Sequence, residues 1–122
     1  MTGPRSVLDY LRDIVEAAGK AAEFTAGMSF DQFVADPKTV YATLRALEII
    51  GEAAKPIPDD FRAQHPAVPW REMAGLRDKL THDYFGVNLP VVWKTLHQDL
   101  PGLQPMMVQT LSAAEPEDGP AT

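Results

Sequence analysis

Apolar residues recur every three to four positions along most of this chain, and prolines and glycines cut that recurrence into segments. Such spacing belongs to the α-helix; nowhere does the sequence show the strict apolar–polar alternation of a half-buried strand. Leu8, Leu11, Val15, Ala18 and Ala22 predict a first helix over about residues 6–25, ended at Gly27. Ser29-Phe30-Asp31-Gln32 reads as a capping box opening a short helix that carries Phe30 and Phe33. Asp36-Pro37 supplies an N-cap and a first-turn proline for a helix through Val40, Leu44, Leu47, Ile50 and Ala54, which Pro56 and Pro58 stop.

The segment 56–68 is a connection with one helical turn near Asp60-Phe61-Arg62. Pro69 then opens a helix with the stripe Trp70, Met73, Leu76 and Leu80, and Gly86 suits the left-handed position just past its end. Asn88 and Pro90 start the last helix, with Val92, Leu96, Leu100, Leu103, Met107 and Leu111 facing inward. Pro101-Gly102 and Pro105 interrupt that pattern and predict a kink or a break. The expected fold is all-α: one domain over residues 1–114, an antiparallel bundle of four to five helices, followed by a disordered acidic tail over 115–122.

A chain of 122 residues can bury a real core as one domain. No apolar run is long enough to span a bilayer, and the first residues lead into an amphipathic pattern rather than a signal peptide, so a cytoplasmic location is expected. The absence of cysteine agrees with a reducing compartment and excludes disulfides, thiolate metal sites and a cysteine nucleophile. A net charge of −6 counts against a broad basic face that coats nucleic acid, yet leaves room for a small cationic pocket. It also suits a basic partner.

Chemistry concentrates in Arg77-Asp78-Lys79-Leu80-Thr81-His82-Asp83-Tyr84, which reads R-x4-H-x-Y, followed by Phe85-Gly86. Arginine offers a fixed cation for phosphate, and histidine titrates near neutrality. On one ideal helix Arg77 and His82 would stand about 140° apart, so their tips do not converge unaided. Either the helix ends near His82, or two copies pack about a twofold axis and both motifs line one cleft; the second arrangement is favoured, helped by the first. Asp78, four residues before His82, is placed on a helix to accept a hydrogen bond from the imidazole. That contact and the negative helix end both favour imidazolium, raising the pKa. A histidine so poised can take the proton of a ribose 2′-hydroxyl while Arg77 holds the phosphate. Metal-independent RNA cleavage through a 2′,3′-cyclic phosphate follows from that logic. Each residue also has an ordinary role: a helix-end cap for His82, a solvated ion pair for Arg77, a rim aromatic for Tyr84.

The R-x4-H-x-Y-F-G-V run resembles the signature of HepT-type toxins, a branch of the HEPN superfamily. Further blocks in the same order extend the resemblance from about Val7 to Leu111: Asp9-Tyr10-Leu11-Arg12-Asp13-Ile14, the run Leu47 to Lys55, the run His65 to Arg71, and Ala74-Gly75-Leu76-Arg77. The resemblance implies a HEPN-like bundle that dimerises through the motif-bearing helix and has RNase activity, with tRNA the favoured target class. It implies a type VII toxin–antitoxin module whose second member, an MntA-type minimal nucleotidyltransferase, places AMP on Tyr84. An anionic adduct two residues from His82 would obstruct the cleft and repel RNA.

The site residues expected are thus Arg77 for phosphate, His82 as acid and base, Asp78 to orient it, and Tyr84 as the AMP acceptor. Arg45, Glu48 and Glu52 share one helix face and either line the cleft, position Arg77, or form an exposed ion-pair ladder. Arg62, Arg71 and Lys79 are candidate RNA or AMP-phosphate contacts, with surface solubility the more ordinary role. His65 and His97 are expected to be structural. Three scattered histidines give no metal-ligand spacing, and no Gly-rich phosphate loop is present, so neither a metal nor ATP is expected as a cofactor of this chain. The rival reading is a non-catalytic subunit whose cleft presents a substrate or nucleotide to a nucleotidyltransferase. A third is a purely structural dimer module.

Overall fold

The computed structural model describes residues 5–81 and 86–116, and these form an all-α bundle. Helix α1 spans Val7–Thr25, α2 Phe30–Val34, α3 Pro37–Ala54, α4 Asp59–Gln64, α5 Trp70–Ala74, α6 Leu76–Leu80, α7 Leu89–Lys94 and α8 Leu100–Ala114, with a π-helical turn at Thr95–Asp99 joining the last two. Local chemistry sets four of the starts. The Ser6 and Ser29 hydroxyls each accept an amide three residues on, at Asp9 and Gln32, and those side chains return a bond to the cap amide. Asp36 and Asn88 cap α3 and α7 ahead of Pro37 and Pro90. The bonds from Ser6 hold Asp9 below its ordinary pKa near 3.8, and the Thr39 hydroxyl and amide do the same for Asp36.

The core is built where α1 packs against α3 and α8, and α5 and α6 pack against α3. On α1 the buried stripe is Leu11, Ile14, Ala18, Ala21 and Thr25, turned from the expected one: Ala22 is exposed and Leu8 half-buried. An alanine-rich helix offers two neighbouring apolar stripes, and the larger Ile14 decides between them. The stripe Trp70, Met73, Leu76 and Leu80 is buried as its spacing predicts. Gly51 makes the approach of these helices possible: a Cβ there would stand 3.0 Å from the Met73 carbonyl oxygen and 3.7 Å from the Leu76 Cβ.

Two expectations are corrected. The helix behind Pro69 is not continuous, because Gly75 (φ −91°, ψ 7°) divides it into α5 and α6. The last helix is neither broken nor α-helical throughout: its turn widens at Thr95–Asp99, where the Leu100 amide donates to the Thr95 carbonyl, and α8 then runs on through Pro105. Widening the turn ahead of Pro101 gives the carbonyl four residues upstream more room beside the proline ring, which has no amide to donate to it. No helix among the described residues is long and apolar enough to cross a membrane.

Candidate functional site

The motif begins on α6. Leu76 and Leu80 fix that helix to the core, which leaves Arg77, Asp78 and Lys79 exposed. The helix stops at Leu80. Thr81 is extended (φ −103°, ψ 154°), and its hydroxyl donates to the Arg77 carbonyl at 2.9 Å. Thr81 pairs with Val87 in an isolated antiparallel bridge, and the Asn88 amide donates to the Leu80 carbonyl at 2.9 Å. His82 and Tyr84 lie within 82–85, outside the described residues.

This ending corrects two expectations. Gly86 does have positive φ (142°), but it stands six residues beyond Leu80 and serves the return of the chain to Val87 rather than a helix cap. The helical register that would set Asp78 one turn before His82 ends before His82 is reached, because Thr81 is extended. The alignment of Asp78 with the imidazole therefore has no helical basis. The ending agrees with the condition that the motif helix stop near His82.

Arg77 has no ion-pair partner among the described carboxylates. Lys79 does: its Nζ lies 3.0 Å from Asp99 Oδ2 on the π turn. Two residues apart on a helix, Arg77 and Lys79 point about 160° away from each other. With Lys79 turned towards the last helix, Arg77 faces the opposite flank of α6.

The structure does not bring the remaining candidates to this place. Arg45 is held by Glu48 at 3.5 Å and Glu52 at 3.4 Å, the exposed ladder on α3, and no described contact joins either Arg45 or Glu48 to Arg77. Arg45 and Glu52 also edge a groove of about 600 Å³ between α1 and α3, with Ala17, Ala46 and Ile49 on its floor. Arg62 is structural: it donates to the carbonyls of Ile57 (3.0 Å), Ala54 (2.8 Å) and Lys55 (3.3 Å), closing the end of α3. Arg71 is exposed on α5. The His65 ring lies against Phe61, and its carbonyl accepts the Trp70 indole N–H at 3.1 Å. The His97 ring stacks on Trp93 at 4.0 Å, with Nδ1 3.0 Å from the Trp93 carbonyl oxygen. Among the described residues no three histidine or carboxylate side chains gather to take a metal ion. Asp99 was missed by sequence reasoning, since nothing local marks a residue whose partner lies 20 positions away.

Comparison with known proteins places the chain in a family. A family model described as ribonuclease HepT-like matches residues 14–110. A protein of Thermococcus cleftensis named probable ribonuclease HepT is 56% identical over 100 residues, covering 82% of this chain and 91% of its own. Two relatives provisionally named RNases are similar as well. That of Caldanaerobacter subterraneus subsp. tengcongensis is 45% identical over 84% of the chain and 91% of its own length, and one of Methanocaldococcus jannaschii 41% identical over 93% and 94%. No solved structure matches the chain.

Proposed function

The chain belongs to the HepT-like ribonuclease family, and on that premise we propose that it is a metal-independent endoribonuclease, the toxin of a type VII toxin–antitoxin module. The observation that carries this reading is Arg77, exposed on a helix that ends three residues later and unpaired with any described carboxylate. A cation with no described carboxylate beside it, in a protein of net charge −6, is available for a phosphate.

In this mechanism Arg77 holds the scissile phosphate and offsets the charge that grows on its oxygens. His82 takes the proton from the ribose 2′-hydroxyl, the 2′-oxygen attacks phosphorus, and the 5′-oxygen leaves with a proton. The products are a 2′,3′-cyclic phosphate and a 5′-hydroxyl. Asp78, no longer in helical register with His82, acts as a nearby carboxylate that favours the imidazolium. Two copies meeting through α6 would set two motifs in one cleft. Tyr84 is the acceptor for AMP from an MntA-type nucleotidyltransferase, which silences the site by adding bulk and negative charge beside His82. tRNA in the cytoplasm is the proposed target.

Intact mass and RNA cleavage test the reading together, for the chain alone and coexpressed with such a nucleotidyltransferase. The expected result is cleavage by the unmodified chain, and its loss when AMP is found on Tyr84. An unmodified chain that leaves total RNA and tRNA intact overturns the reading in favour of a non-catalytic subunit that presents a substrate or nucleotide to its partner.

A further inference from the structure

Five residues, under two turns, make up α6, and no side chain caps its start. A helix this short has no stability of its own. Its orientation is set by what surrounds it. Leu76 and Leu80 seat one side in the core. On the flank towards the last helix, packing is incomplete: a hollow of about 480 Å³ opens there, walled by Met73, Leu76, Leu100 and Leu103. Lys79 and Asp99 stand at this hollow and are joined at 3.0 Å. Asp99 is the last residue of the π turn, and such turns are frequent at functional sites.

We propose that Asp99 is a positioning residue for the site, acting through Lys79 on the roll of α6 and hence on Arg77. The inference rests on reading Arg77 as the phosphate-binding side chain. Arg77 lies nearly opposite Lys79 on the helix, so any roll that displaces one displaces the other. A roll of about 10° moves a tip at the ~6 Å radius of a helix through roughly 1 Å, a displacement that catalysis tolerates poorly. Lys79 is therefore a strut, and its place inside the R-x4-H spacing reflects that duty rather than a contact to RNA.

A charge-swap cycle on the full chain tests this, with steady-state cleavage of a defined RNA as the readout and thermal melting as a check on folding. Asp99→Asn and Lys79→Gln should each lower kcat about fivefold, the rate equivalent of the ~1 kcal/mol that an exposed ion pair reaches. KM should change little, and the double variant Lys79→Asp with Asp99→Lys should recover most of the lost rate. If Lys79 instead touches RNA, its replacement raises KM, Asp99→Asn leaves kcat intact, and the swap recovers nothing; that result overturns the proposal. Arg77→Ala separates the two levels of inference. Its inactivity beside a fully active Asp99→Asn removes the strut alone, whereas a fully active Arg77→Ala removes the site on which the strut depends.

Discussion

Arg62 should contribute more to stability than any other surface cation described, and nothing directly to RNA binding. Its guanidinium reaches three carbonyls at the end of α3, two of them at 2.8 and 3.0 Å in a partly buried setting. A hydrogen bond from a charged donor contributes about 1.5–3 kcal/mol, and a cation at a helix C-terminus adds roughly 0.3–1 kcal/mol. The third bond, to Lys55 at 3.3 Å, is exposed and counts for little. Both strong bonds come from one guanidinium that is only half-buried, so they do not add fully. Arg62→Ala should therefore cost about 2–3 kcal/mol, which for a domain of this size lowers Tm by roughly 6–12 °C. Arg62→Lys should recover only part, because a single ammonium cannot bridge carbonyls on both sides of the turn. Urea unfolding followed by circular dichroism measures both, with the slope expected to stay constant. A loss below about 0.5 kcal/mol, the ordinary range for a surface substitution, would refute the capping argument. So would unchanged stability combined with weakened RNA binding.

The hydroxyl of Thr43 is fully buried and has no hydrogen-bond partner among the described residues. Thr43→Val keeps its shape and should raise the urea midpoint, by up to about 1 kcal/mol; a lowered midpoint would show that the hydroxyl is satisfied in solution. Gly86 has φ of 142° with open space where a Cβ would go, so Gly86→Ala should cost about 1–3 kcal/mol through backbone strain alone, seen as a Tm loss. The pKa values of Asp9 and Asp36 are lowered by bonds that only the folded chain makes. Their stabilisation is complete above the unfolded value near 3.8 and disappears as pH falls through the lower folded values. Acid titration of Asp36→Asn, which keeps the cap but cannot ionise, should show a shallower loss below pH 3.8 than the parent chain; coincident curves would contradict the assignment.

Where structure follows from neighbours in sequence, it was legible. Ser29, Asp36-Pro37 and Asn88 announce their helices because a cap and its amide are three residues apart. Trp70, Met73, Leu76 and Leu80 announce a buried stripe for the same reason. The stop of α6 at Leu80 did not show, since Arg77-Asp78-Lys79-Leu80 is acceptable helix and the stop comes with the pairing of Thr81 to Val87. Pro101 signalled a disturbance of the last helix but not its form, a π turn that leaves the helix continuous. Of the candidate site, Arg77 is exposed; Arg45 joins the ion-pair ladder that its spacing to Glu48 and Glu52 allowed, while Lys79 is taken up by Asp99, whose approach depends on folded geometry. Arg62, read as a surface cation, is recruited by carbonyls five to eight residues away.

The most direct test of the central claim is cleavage of RNA by the purified, unmodified chain in excess EDTA, alongside His82→Ala and Arg77→Ala variants with melting temperatures matched to the parent. The account predicts cleavage without divalent ions, fragments ending in 2′,3′-cyclic phosphate, and a loss of about 10²-fold or more in each variant. Undiminished cleavage by His82→Ala, or cleavage that appears only when a divalent ion is restored, would contradict it.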